Sequence, residues 1–499
     1  MKNKLGIVLV LLIFIAFFAA DGIHVINYPP QSVHMWRQSD CAAYARRYYE
    51  TNSGLLSPSF YNLVAKDGRS ISEFPVIYYI AGKLFHVFGM HYWILRGLTF
   101  FCYIIGLLYL FKCVQFWIKD PVLELFVVII FATTPYFYYY ALNFLPNVPA
   151  IAFSFPGLYY MLRYRQSDKR KYLVVSTLFF ILSTILKPTD GGILWMAFAS
   201  VICSDAIFKK QKSKQTLPII VAALVVGISI FAWYKYAVWY NAVNDNTLNI
   251  LGIYPLWDMT KNDVLYTITQ RMTYLWGSSY QQLYILCLLP VFFIIYIVKW
   301  KSLNEFLKKM TLFLMLGSLV YAILWFHAFS DLDYYQLINV VAPLFLCITV
   351  VEYYDRKIGP LLNKNIKYSV ATVAVIIMAG SIYHNRNVQN ERFHGTVFSY
   401  VNPALFEVEP YLRKIGVAAT DTVVGLPDAS PNILLNGFGN VGYSALFFGG
   451  GVFTIDYCKQ HGARYMIITD SGYLHNPAYE PYTSKKIGEY KGIYVFDLK

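Results

Sequence analysis

The chain has 499 residues, 57% hydrophobic, 18% aromatic and only 14% charged, which is far from the composition of a soluble domain. Its formal net charge of +14 would suit nucleic acid. The cations, however, fall in short clusters between apolar runs, the pattern by which a membrane protein sets its orientation, and nucleic-acid binding is rejected. The seven cysteines show neither paired spacing nor a Cys/His metal pattern, which argues against a disulfide framework.

A membrane span needs about 20 mainly apolar residues, and about eleven such runs can be read along the chain. The first, 5–20, follows Lys2 and Lys4 as the core of a signal peptide would; it is read as an uncleaved first span. A long polar loop, 21–91, comes next. In it HMWRQSDCAAYARRYYE (34–50) is the first place where a carboxylate, arginines and a helix start occur together. Ser39 and Asp40 both suit the N-cap of that helix, and Asp40, Tyr44 and Arg47 then recur on one face. Further runs are 92–117, 122–140, 149–164, 172–186, 193–208 and 217–234. A second polar loop, 235–280, separates them from 283–298, 311–329, 335–351 and 368–382.

Lys112 and Lys119, RYRQSDKRK (163–171), KKQKSK (209–214), 299–309 and DRKIGPLLNKNIK (355–367) fall on one side if the runs alternate, and that side is cytoplasmic. The N-terminus is then cytoplasmic. Both polar loops, the short segments 143–147, 187–190 and 330–333, and the C-terminal tail share the outer face. The tail has its own logic. TVVGLP (422–427), RYMIITD (464–470) and GIYVFDL (492–498) read as strands and FTIDYCKQHGA (453–463) as a helix, which suggests a small α/β domain. It carries no glycine fingerprint or metal spacing and reads as a cap or acceptor platform without catalysis. The expected division is therefore a membrane domain over 1–390 and an extracytoplasmic domain over 391–499.

A carboxylate beside arginines, lysines and tyrosines at an outer membrane surface suits glycosyl transfer from a lipid-linked sugar. The acceptor hydroxyl is a poor nucleophile until a base takes its proton, and a phosphate leaving group needs cations and hydrogen-bond donors rather than an acid. Asp40 weighs as base against plain helix cap. Glu73, held before Phe74-Pro75 where helix is disfavoured, weighs as acceptor contact, partner of an arginine, or cap. Lys187 and Arg96 lie at outer ends of apolar runs, where a phosphate ligand and a snorkelling side chain are the two readings. Tyr334 and Tyr335 weigh as interface anchors against phosphate contacts. His327 reads as a satisfied core histidine.

In order along the chain, WRQSD (36–40), ARRYYE (45–50), EFP (73–75), LRGL (95–98), KPTDG (187–191) and DYYQLINVVAP (333–343) resemble the GT-C glycosyltransferases. The closer resemblance is to the branch of aminoarabinose transferases and protein O-mannosyltransferases. It covers most of the first 400 residues. It implies a mainly α polytopic fold of the GT-C type and a first-loop acid, here Asp40, as catalytic base, with inversion at the anomeric carbon. It also implies a polyprenyl-phosphate sugar donor, a glycan, lipid or protein acceptor, and a bacterial plasma membrane. Site roles are then catalytic for Asp40 and Glu73; donor phosphate for Lys187, Arg96, Arg37, Tyr334 and Tyr335; and acceptor or sugar for Tyr44, Arg47, Asn147 and Asp333. Two departures stand out: Cys41 follows Asp40 where mannosyltransferases pair Asp with Glu, and Asn147 stands in FLPN where some relatives are acidic. A second acid or a divalent metal is therefore not indicated, and no other cofactor is called for. A transporter or flippase of lipid-linked glycans, or an envelope scaffold, remains the alternative, and oligomeric state is left open.

Overall fold

Prolines decide where several of the apolar runs break, because a proline removes an amide donor and disfavours helix in the residue before it. A computed structural model describes residues 2–208, 214–247, 252–273, 283–394, 401–428, 430–444 and 454–499. In chain order the helices of the first half are α1 (Lys2–Ala19), α2 (Gly22–Val25), α3 (Met35–Thr51), α4 (Val76–Phe88), α5 (Tyr92–Val114), α6 (Pro121–Ala132), α7 (Pro135–Ala141), α8 (Asn147–Ser167), α9 (Arg170–Leu186), α10 (Pro188–Phe208) and α11 (Thr216–Val243). The second half adds α12 (Lys261–Tyr266), α13 (Leu283–Val298), α14 (Glu305–Leu324), α15 (Val341–Tyr353), α16 (Lys364–His394), α17 (Glu409–Lys414), α18 (Ile433–Phe438) and α19 (Ile455–Gln460).

Among the described residues six helices or helical stretches are long and apolar enough to cross a membrane: α5, α10, α11, α14, Asp333–Leu361 (which contains α15) and α16. The run expected to span at 122–140 is broken. Pro135 pushes Thr134 into an extended conformation, and α6 meets α7 at a 69° bend; taken together the pair makes a seventh span. The run at 5–20 and the one at 283–298 give shorter apolar helices. The expected figure of about eleven is thus not reached by helix length and apolarity alone. The basic cluster at 209–214 falls almost wholly outside the described residues, as do parts of the second loop.

The chain divides into two compact units. The first comprises Met1–Ile26, Gly97–Tyr234 and Gly252–Glu391, and it is the apolar bundle. Here α8 packs on α9 and α10, α10 on α14, and α14 on α15. Small residues allow two further close approaches, α5 to α8 and α9 to α10. A Cβ on Gly106 would lie 2.6 Å from the Cβ of Ala152, and one on Gly191 would lie 2.2 Å from the Ser183 carbonyl, so neither site admits a side chain. The second contact keeps the turn between α9 and α10 tight around Lys187.

The second unit comprises Asn27–Arg96, Lys235–Leu251 and Arg392–Lys499. The first loop is not simply connective. Its apolar residues Ile77, Tyr78, Ala81, Gly82 and Phe85 recur on one stripe of α4, which packs on α3. A Cβ on Gly82 would meet the Tyr48 Cβ at 2.6 Å, so the two helices cross in contact. The tail forms a five-stranded sheet in the order β2-β1-β3-β5-β4: β1 (Thr422–Leu426), β2 (Gly442–Ser444), β3 (Ala463–Ile468), β4 (Lys486–Tyr490) and β5 (Ile493–Asp497). β1 pairs in parallel with β2 and β3, while β5 pairs antiparallel with β3 and β4. The three expected strands and the expected helix are present; β2 and β4 are additions. β4 was hidden by its charge and its glycine, and it joins β5 through a two-residue turn at Lys491 and Gly492, both at positive φ. The first loop adds itself to the free edge of β2. Gly442 N donates to the Tyr61 carbonyl at 2.9 Å and Leu63 N to the Gly442 carbonyl at 2.8 Å.

Candidate active site

α3 begins a turn earlier than its sequence suggests. His34, at a φ of 56°, ends the preceding loop, and Gln38 donates from its side chain to the carbonyls of Gln31 and Val33 at 2.7 and 2.8 Å. The helix therefore starts at Met35, and Asp40 lies in its second turn. The expectation that Ser39 or Asp40 caps the helix is corrected: the carboxylate is not occupied with first-turn amides. Its Oδ1 instead accepts from Asn432 Nδ2 at 2.7 Å, and its Oδ2 lies 3.9 Å from Arg37 Nη1.

Arg37 turns its other amine to Glu73, with which it forms a close ion pair, so one guanidinium stands between two carboxylates. Glu73 also accepts from the Tyr78 hydroxyl at 2.8 Å and from Ser72. The Glu73 side chain is only 5% exposed and that of Asp40 11%. Ionised groups at that depth persist only when paired. Burial pushes the Asp40 carboxyl up to about 6, with Arg37 and the Asn432 hydrogen bond pulling the other way. A carboxyl poised there is mostly ionised near neutrality and still basic enough to take a proton.

The remaining residues of this unit fall around that core. Tyr44 is buried, stacked between Phe60 and Tyr78, with its hydroxyl 2.8 Å from Ser70 Oγ. Arg47 lies over the Tyr61 ring at 5.4 Å and donates to Glu50 at 3.2 Å. Arg96 is fully buried and donates to the carbonyls of Tyr28 and Pro29, at 3.0 Å each, and to Gln38 Oε1 at 3.2 Å. The guanidinium thereby fastens the loop that leads into α3.

The first unit gathers the other predicted residues at the turn between α9 and α10 and the 3-10 stretch Asp333–Val340. Lys187 Nζ lies 4.9 Å from the ring centre of Tyr335 and 5.7 Å from that of Tyr334. Among the described residues no carboxylate comes within ion-pair distance of that ammonium. Asn147, at the start of α8, donates to Asp190 Oδ2 at 3.0 Å and to the Tyr334 carbonyl at 3.3 Å. The Tyr140 hydroxyl donates to Asp333, and the Tyr321 hydroxyl donates to the Tyr335 carbonyl at 2.8 Å. Residues distant in sequence thus fix the paired tyrosines under the lysine.

Sequence reasoning missed Asn432, Tyr78, Ser72, Tyr140 and Asp190. Asp190 stands inside the quoted KPTDG, where its spacing from Lys187 was a usable signal. Asn432 ends PDASPN (427–432), whose turn-forming residues mark a loop but not its target. Among the described residues no three His, Cys, Asp or Glu side chains are placed to hold a metal ion. The seven cysteines are unpaired.

Comparison with known proteins adds the frame. Residues 72–234 match the family described as dolichyl-phosphate-mannose-protein mannosyltransferase, about a third of the chain, beginning just before Glu73 and containing Arg96, Asn147 and Lys187. Among curated proteins no sequence match is found. By structure the chain is similar to ArnT from Cupriavidus metallidurans bound to undecaprenyl phosphate, with a TM-score of 0.61 and 12% identity over 99% of this chain and 98% of that one. The apo ArnT matches with a TM-score of 0.60 and 13% identity, over 97% of this chain and 98% of that one. The arabinofuranosyltransferase AftD from Mycobacteria matches with a TM-score of 0.58 and 10% identity, over all of this chain but 40% of that one. The likeness covers nearly the whole of this chain and of ArnT, and with the apolar helices it shows a multi-pass membrane protein with the GT-C fold.

Proposed function

We propose that the chain is a membrane glycosyltransferase that moves a sugar from a polyprenyl-phosphate carrier to an acceptor on the outer side of a bacterial plasma membrane, with inversion. The observation that carries this reading is the Asp40 carboxylate: held at one oxygen by Asn432, faced by Arg37, and poised at about 6. In the reaction the acceptor hydroxyl gives its proton to Asp40 as its oxygen bonds to the anomeric carbon. The bond from that carbon to the phosphate oxygen breaks, and the carrier leaves as polyprenyl phosphate with the electron pair. Lys187, supported on its two tyrosines, supplies the cation for the leaving phosphate. Glu73 keeps Arg37 in place and Arg96 holds the loop before α3, so both act by positioning. Tyr334 and Tyr335 support the cation; Tyr44 and Arg47 in the second unit and, separately, Asn147 and Asp333 in the first are assigned as acceptor or sugar contacts.

ArnT, the matching structure, was solved with undecaprenyl phosphate bound, which supports a carrier of that class here. Membership of the first loop and the C-terminal segment in one compact unit supports placing both on one side of the membrane, the outer side by the charge rule. The test is to supply labelled polyprenyl-phosphate sugars to purified protein. Label arriving on an acceptor supports the reading; label that crosses a vesicle membrane still attached to its lipid supports a flippase instead.

A further inference from the structure

Asn432 is fully buried and ties two parts of the chain nearly 400 residues apart. Its Oδ1 accepts from the backbone amide of Tyr61 at 3.1 Å, and its Nδ2 donates to Asp40 Oδ1 at 2.7 Å. A backbone amide can only donate. The oxygen of Asn432 must therefore face Tyr61, its NH2 must face the carboxylate, and the side chain has no alternative orientation.

The stretch carrying Asn432 is pinned on every side. Asp428 accepts from the amide and the hydroxyl of Ser430, both at 2.7 Å, and from Leu434 N at 2.9 Å. Asn62, from the first loop, donates to the Pro431 carbonyl and to Ser444 Oγ, at 3.0 Å each, and Ser444 Oγ donates to the Ser430 carbonyl at 2.8 Å. Asn62, Ser430, Asn432 and Ser444 are all fully buried. Desolvating so many polar groups is costly unless each is satisfied, and a domain that merely rested against the loop would need none of them.

We infer that Asn432 is a positioning residue for the Asp40 carboxylate, so that the C-terminal domain completes the reaction machinery of the first loop rather than serving as a platform beside it. The inference rests on Asp40 acting as base. Asn432 holds Oδ1, Arg37 faces Oδ2, and the Trp36 side chain adds a further hydrogen bond to the carboxylate. The hydrogen bond from an amide favours the ionised form. The other groups that set its titration are Arg37 and the hydrogen-bonding Trp36 side chain on its own helix, Glu73 before α4, the adjacent Cys41, and Asp428 ahead of α18.

A carbodiimide reacts with protonated carboxyls, so labelling of the Asp40 peptide in the full-length purified protein, followed by mass spectrometry across pH 4.5 to 8.5, reads its protonation without any substrate. Asn432→Leu keeps the volume and removes the donor. The midpoint should rise by about one pH unit, the size of one charge-assisted hydrogen bond, and Asn432→Asp should raise it further. Transfer should lose kcat with KM for the donor held. An unchanged midpoint in variants that melt like the native protein overturns the inference. Should Asn432→Leu fail to fold, Asn432→Ser, a smaller change, decides by the same midpoint. If the native protein transfers no sugar, the proposed reaction fails while the labelling still decides the role of Asn432.

Discussion

The two constellations of this protein hold charge in opposite ways. In the second unit, Asp40 and Glu73 are enclosed and shared by one guanidinium, and hydrogen-bond donors from the first loop, α4 and the C-terminal domain are committed to their oxygens. In the first unit, Lys187 lies on the faces of Tyr334 and Tyr335 with no carboxylate at ion-pair distance among the described residues. A cation supported on aromatic faces keeps its three hydrogen-bond donors for an incoming anion. Over-determined geometry suits a group that must take a proton at a fixed point; an uncommitted ammonium suits one that must receive a phosphate.

That contrast can be broken by single substitutions, the largest effect first. Asp40→Asn still accepts from Asn432 but no longer takes a proton, so sugar transfer should fall by about 10²- to 10⁴-fold with the melting temperature nearly unchanged. Arg37→Met should act chiefly on the fold. It strips the buried Glu73 of its cation, and breaking a buried pair from one side costs about 3–5 kcal/mol, read as a lower melting temperature in detergent. Lys187→Gln should reduce transfer by about 10- to 10²-fold and Lys187→Arg much less, because a charge-assisted hydrogen bond contributes about 1.5–3 kcal/mol. Equal activity in the two would reduce Lys187 to an anchor. Tyr78→Phe removes one of several donors to Glu73 and should cost about 1 kcal/mol of stability.

The sequence made the class, the first-loop helix and the Lys187 turn legible because each is a local signal: apolar runs, a cluster of charged and aromatic residues, a basic residue where the charge rule would not put one. Asp40, Arg37 and Glu73 were found this way, and the structure brings all three together. What stayed hidden was pairing across distance. Nothing near Asn432 announces a partner at Asp40, and nothing near Asn62 announces an added strand beside β2. The break at Thr134 was readable from Pro135 but was outweighed by the apolarity around it. The start of α3 was misplaced because Ser39 and Asp40 have capping side chains, whereas the loop actually ends at His34, in a left-handed conformation that sequence alone does not single out.

The most direct test of the account is the pH dependence of single-turnover sugar transfer. Asp40 must be ionised to accept the proton, and its pKa is raised, so the rate should fall as pH drops through about 6 and level off above it. Asp40→Asn should show only a residual rate without that limb. A native profile flat through this range, or an Asp40→Asn variant transferring at the native rate, would contradict the assignment of Asp40 as the base.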